Sequence, residues 1–192
     1  MDINSNALNA SGENASVTGA VALRTDTADA ETSGIRFSST VSADVVAALT
    51  AGGKTLKFGT LVAPADYVAK AKTFTPEALD AAITSGVAYV TIPAVHSVVY
   101  GGDGSVSFSG ILVNLKSNTR VYAAVSYIEV YEGETLVDTV YSAYDAQTNA
   151  KSAEQMADAI VADAEAYAAL DEGKKAIIDA YANGKVEAVP AE

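Results

Sequence analysis

The stretch 105–144, SVSFSGILVNLKSNTRVYAAVSYIEVYEGETLVDTVYSAY, constrains this chain more than any other, because it reads as three strands in succession. In the first, Val106 and Phe108 alternate with Ser105, Ser107 and Ser109, the pattern of a strand with one buried face. Gly110 interrupts the alternation and 111–115 is mostly apolar, which predicts a bulge followed by burial on both faces. The second strand, 120–131, sets Tyr122, Ala124, Ile128 and Val130 on one face and Val121, Ala123, Val125 and Tyr127 on the other, so both faces are expected to be covered. Glu132 and Gly133 reverse the chain, glycine supplying the positive φ, and Thr135, Val137, Thr139 and Tyr141 return as an antiparallel partner.

Covering such a strand on both sides needs a sizeable core, and 192 residues with a hydrophobic fraction of 49% can build one. The surface is acidic: 12 Lys and Arg against 24 Asp and Glu give a formal net charge of −12, which repels phosphate backbones and anionic membranes. Nucleic acid is therefore not an expected partner. The acids are spread along the chain and read as a solvated exterior rather than a binding tail. With no cysteine there is no disulfide, thiolate metal site or cysteine nucleophile. No run approaches the roughly 18 apolar residues of a membrane span. The opening residues lack the basic and apolar regions of a secretory leader, so either a signal was removed or none is needed.

Ahead of the central stretch, 1–14 is a polar arm rich in Asn and Ser, and a strand is expected from Val17 to Leu23. Ile35 and Phe37 mark a second strand. Ser42 is a candidate N-cap for a short helix closed by Gly52 and Gly53, and 54–62 returns as a strand. Pro64 opens a helical turn, and Thr75 with Pro76 opens a helix that runs toward Gly86. The strand 88–95 contains Pro93, which confines it to a sheet edge or a strand end. After the central stretch, 149–170 places Ala153, Met156, Ala157, Ile160, Ala164, Tyr167 and Ala168 on one side of a single amphipathic helix. A second helix carries Ile177, Ile178 and Tyr181 and stops at Asn183-Gly184. Both are expected to cover a face of the sheet.

Residues that carry chemistry are sparse. Asp26, Asp29 and Glu31 cluster in a turn-rich loop and are a candidate calcium site, although the spaced acidic loop that makes such an assignment specific is missing. His96, the sole histidine, has no cysteine, second histidine or serine motif to work with and reads as packing or surface. GGDG at 101–104 lacks the spacing of a phosphate loop and precedes a strand, so it reads as a hairpin turn. Glu129 and Asp138 are the acids inside apolar strands, and G-x-S-x-G, H-E-x-x-H and S-x-x-K motifs are absent, which disfavours an enzyme. Tyrosine is abundant, with ten residues against four Phe and no Trp, and exposed tyrosines are adhesive. Tyr100 and Tyr131 are the candidate ligand or partner contacts.

The segments GIRF (34–37), KFGTLVAPADYV (57–68), FTPEALDAA (74–82), YVTIPA (89–94), FSGILVNL (108–115), RVYAAVSYIEV (120–130) and EGKKAIIDAYANG (172–184) together resemble an accessory module of large surface proteins of Clostridia and related gut Firmicutes. The likeness spans about 16–185 in order and spacing and transfers no catalytic residue. It implies an extracellular location, on a cell surface or, if borrowed by a phage, on a virion. The expected fold is α+β and β-rich: an antiparallel sheet or sandwich with short inter-strand helices and a C-terminal helical hairpin. The expected organisation is an arm at 1–14, a core domain at 15–147, the hairpin packed on it at 148–185, and a tail at 186–192. The expected function is a non-catalytic structural or adhesion module, with neighbouring subunits or surface glycans as partners and no cofactor other than calcium. The alternative is a carbohydrate-binding module of a secreted multidomain protein.

Overall fold

The computed structural model describes residues 33–115 and 117–183, together with the backbone of 17–24. The arm 1–14, the tail 186–192 and the candidate calcium residues Asp26, Asp29 and Glu31 lie outside these residues. The described strands are β1 (Val17–Arg24), β2 (Gly34–Val41), β3 (Thr55–Pro64), β4 (Val90–Pro93), β5 (Val99–Tyr100), β6 (Val106–Val113), β7 (Tyr122–Glu132), β8 (Thr135–Tyr141) and β9 (Ala150–Lys151). Between and after them come helices α1 (Ala43–Thr50), α2 (Ala65–Val68), α3 (Pro76–Ala82), α4 (Ala153–Ala162), α5 (Ala164–Ala168) and α6 (Glu172–Ala182). All pairings are antiparallel. One sheet runs β1-β2-β6-β5, and the other runs β4-β3-β7-β8, with β9 also paired to β7. The fold is α+β and β-rich, as the sequence pattern predicts.

The two sheets face each other. Along β2, Ile35, Phe37, Ser39 and Val41 are buried while Arg36, Ser38 and Thr40 are half-exposed, and along β6 Val106 and Phe108 share the buried side. Across the interface Phe58 of β3 meets Phe108 with ring centroids 5.2 Å apart, and Ser126 Oγ of β7 donates to Ser39 Oγ at 2.7 Å. Gly110 stands directly over Thr60, where a Cβ would lie 2.6 Å from Thr60 Cβ and Oγ1. The sheets approach here so closely that the second one leaves no room for a side chain. This corrects the bulge expected at Gly110: the β2–β6 register runs through it unbroken, Phe37 pairing with Gly110, and Ile111, Leu112 and Val113 are only partly buried. Period and composition within one strand cannot report the approach of another sheet.

β7 is apolar at successive positions because both of its faces are covered, and Ala123 through Ile128 are all buried. One face looks into the sandwich. The other packs with Leu61 and Ala63 of β3 against Val68, Phe74 and Leu79 from α2, α3 and their connection. α3 begins as predicted, with Pro76 in its first turn and Thr75 Oγ1 accepting from the Ala78 N–H at 3.4 Å. Gly133, with φ of 61°, turns β7 into β8, and Gly101 N–H donates to the Ser105 carbonyl at 2.8 Å in the hairpin turn between β5 and β6. Pro93 sits on β4, an edge strand. Ser42 precedes α1 but its side chain makes no cap, and among the described residues its buried Oγ has no hydrogen-bond partner, as is true of Thr60 Oγ1.

The ends of the sandwich are sealed by helices. Val45 of α1 joins Val41, Phe58, Phe108 and Ile128 at one end. At the other, Met156 and Ala157 of α4 and Ile177, Ile178 and Tyr181 of α6 share a cluster with Ile35, Phe37, Val62 and Ala124 from both sheets. Two details differ from the sequence reading. Ala150 and Lys151 form β9 on the edge of β7 before the helices begin, and the long amphipathic helix breaks at Asp163. The Asp163 carboxylate accepts from the Ala166 N–H at 3.0 Å, so a short polar side chain ends α4 by capping α5. α4 itself starts with a capping box between Ser152 and Gln155.

Candidate functional site

The chain leaves β3 at Pro64, which pairs with Tyr122 at the start of β7. Directly after it the Ala65 N–H donates to the Val121 carbonyl at 2.9 Å, pinning α2 beside the segment that carries Arg120. Asp66 and Tyr67 are thereby brought against Arg120, 53 to 54 positions later in sequence, whose guanidinium lies 4.9 Å from the Tyr67 ring centroid and 3.4 Å from Asp66 Oδ1. The Arg120 backbone N–H is held by Ser117 Oγ at 3.2 Å. Both members of the ion pair are partly exposed, at 38% and 57%, so the pair contributes about 1 kcal/mol or less.

Two cavities flank this junction. The larger, about 960 Å³, is an open groove between 65–75 and 141–150, with Asp66, Lys72, Thr73, Phe74, Tyr141 and Tyr144 among its walls. Phe74 and Tyr144 meet edge to face across it, with centroids 5.2 Å apart. The smaller, about 390 Å³, opens between the ends of β3 and β6 beside β4. Val62, Leu112 and Leu115 form its apolar walls, Val87 and Val90 its lip, and Tyr67, Tyr89, Tyr122 and Arg120 its polar groups. Both volumes lie in the range of small-ligand sites, roughly 300–1,000 Å³.

Of the residues singled out from sequence, Tyr100 is 72% exposed on β5, whereas Tyr131 lies on β7 of the other sheet with Lys57 Nζ 4.2 Å from its ring centroid. Tyr131 Oη donates to Glu129 at 2.8 Å. They stand on separate sheets and form no common row. Glu129 pairs with Thr139 and Asp138 with Val130 across β7 and β8, and the Asp138 carboxylate accepts the Thr139 N–H at 2.8 Å. His96 is exposed in the connection after β4. Among the described residues no three His, Asp or Glu side chains gather as a metal-binding group, and no helix is long and apolar enough to cross a membrane.

Sequence reasoning missed Arg120, Tyr67 and the pocket between β3 and β6. Every residue lining that pocket except Val87 belongs to one of four segments, 57–68, 89–94, 108–115 and 120–130. No protein-family profile, curated protein or solved structure matches the chain.

Burial tunes the phenols around this face. Tyr122 is pushed up from its ordinary value by burial, with Arg120 pulling the other way, and Tyr127 and Tyr144 are also raised by burial. Tyr141 is raised furthest, to about 12, by burial first and then by Glu77, Tyr127, Tyr89 and Glu129. The unfolded chain releases this proton near pH 10, while the folded one holds it to about 12. The stabilisation is therefore complete below pH 10 and is lost as pH climbs toward 12. Tyr141→Phe is expected to move the alkaline unfolding midpoint upward. Tyrosinate absorbance followed beside circular dichroism checks this, and an unchanged or lower midpoint in the variant contradicts it.

Proposed function

We propose that the protein is a non-catalytic adhesion or structural module displayed on the outside of a bacterial cell or a virion. Its partners there are neighbouring subunits or surface glycans. One observation supports the reading: four of the seven segments whose pattern resembles surface modules, 57–68, 89–94, 108–115 and 120–130, supply residues to one exterior pocket. The acidic exterior suits a displayed protein, since net charge favours solubility.

A second reading, a carbohydrate-binding module, is favoured by the 960 Å³ groove, which is open along its length, presents Tyr144 and carries Asp66, Lys72, Thr73 and Thr75 as hydrogen-bonding groups. A glycan array separates the two. Binding of the intact protein that is lost in Tyr144→Ala would establish the second reading, whereas a clean negative favours a protein partner. Release of soluble sugar from any array polysaccharide by the purified protein would overturn the non-catalytic proposal.

A further inference from the structure

The pocket of about 390 Å³ between the ends of β3 and β6 combines features that together define a ligand. Its walls are hydrocarbon, from Val62, Leu112 and Leu115, and its lip holds Val87 and Val90 at 75% and 44% exposure. Valine left so open beside a concavity is apolar surface for a bound molecule to cover. Among the described residues that line it the cation is Arg120, whose contact with Asp66 engages one terminal nitrogen at the long distance of 3.4 Å. A guanidinium offers five donors along the edges of its plane, and with Tyr67 and Asp66 as the contacts of Arg120, donors remain in that plane for a second anion. The Tyr122 hydroxyl, also on the lining, makes no hydrogen bond among the described residues.

We propose that this pocket binds a small organic acid with an apolar body, an aryl or branched acyl group, whose carboxylate is received by Arg120 and Tyr122. The charge pattern excludes the nearest alternatives. Among the described residues a dianionic phosphate would meet one cation beside the Asp66 carboxylate, and a neutral sugar would leave most of its hydroxyls against hydrocarbon. Because the chain as a whole is strongly acidic, an anion is attracted only at short range, and the complex depends on the fork geometry of Arg120 rather than on long-range steering. Tyr122, a phenol and therefore protonated at neutral pH, serves as a donor. The assignment rests on pocket geometry and is independent of where the protein is displayed.

The test is an NMR titration of the full chain with sodium phenylacetate, sodium 3-methylbutanoate and phenylacetamide. Saturable shifts at Val87, Val90 and Tyr122 are expected with the two acids, and binding of phenylacetamide is expected to be at least about tenfold weaker, the loss of a charged hydrogen bond. Arg120→Gln should weaken phenylacetate by about the same factor, with Arg120→Lys in between. Asp66→Asn, which removes the competing carboxylate, should bind phenylacetate as tightly as the parent or more so. Equal affinity for acid and amide, the absence of saturable shifts, or shifts confined to the groove between 65–75 and 141–150 would overturn the proposal. The acid-to-amide comparison needs no variant, so it decides the matter even if Arg120→Gln does not fold.

Discussion

Truncating Tyr181 to alanine is expected to destabilise the protein by about 3–5 kcal/mol, the cost of removing a large aromatic from a packed core. Tyr181 is 1% exposed, and it sits among Ile35 and Phe37 of one sheet, Val62 and Ala124 of the other, and Met156 of α4. Its backbone carbonyl accepts from the buried Asn118 Nδ2 at 2.7 Å, so the same residue ties α6 to the turn before β7. Against a typical total stability of about 5–15 kcal/mol the loss is large. Urea unfolding should show a lower midpoint with an unchanged slope, because the helices and both sheets share one cluster and unfold together. If α4 and α6 were an appendage, the sheet signal would keep its midpoint and only helix signal would be lost early.

Gly110→Val should cost about 3 kcal/mol, near the upper end for overpacking. The added branched side chain has nowhere to go: already its Cβ would stand 2.6 Å from Thr60 Cβ, and Thr60 is fully buried on a central strand. The sheets would have to separate locally, loosening the neighbouring Phe58–Phe108 and Ser39–Ser126 contacts. Thermal unfolding of the variant, with Gly102→Val as a control whose Cβ meets nothing, measures the difference. Equal stability of the two variants would show that the sheets are not in contact at Gly110.

How far the sequence could be read follows from what each signal reports. Strands β6, β7 and β8, the Thr75-Pro76 helix start, the turn at 101–104 and the edge position of Pro93 are all written in local chemistry, and they appear where expected. The reason for Gly110 lies across the interface at Thr60, out of reach of any pattern within its own strand. The break at Asp163 was missed because apolar periodicity continues through it, while the capping hydrogen bond to Ala166 that ends α4 leaves no trace in the period. The site was the least legible part. Tyr67 and Arg120 are brought together by the Ala65–Val121 hydrogen bond, a consequence of β3–β7 register that composition cannot show. Strand order likewise puts the candidate contacts Tyr100 and Tyr131 on different sheets, which no local pattern reports.

Display on an outer surface is the claim on which the functional account stands, and immunogold labelling of intact, unpermeabilised cells that carry the gene, and of phage particles released from them, tests it most directly. The account predicts gold on the outer face of the cell envelope or on the virion. Gold confined to the interior of sectioned cells, with the outer surface and the particles bare, would contradict it.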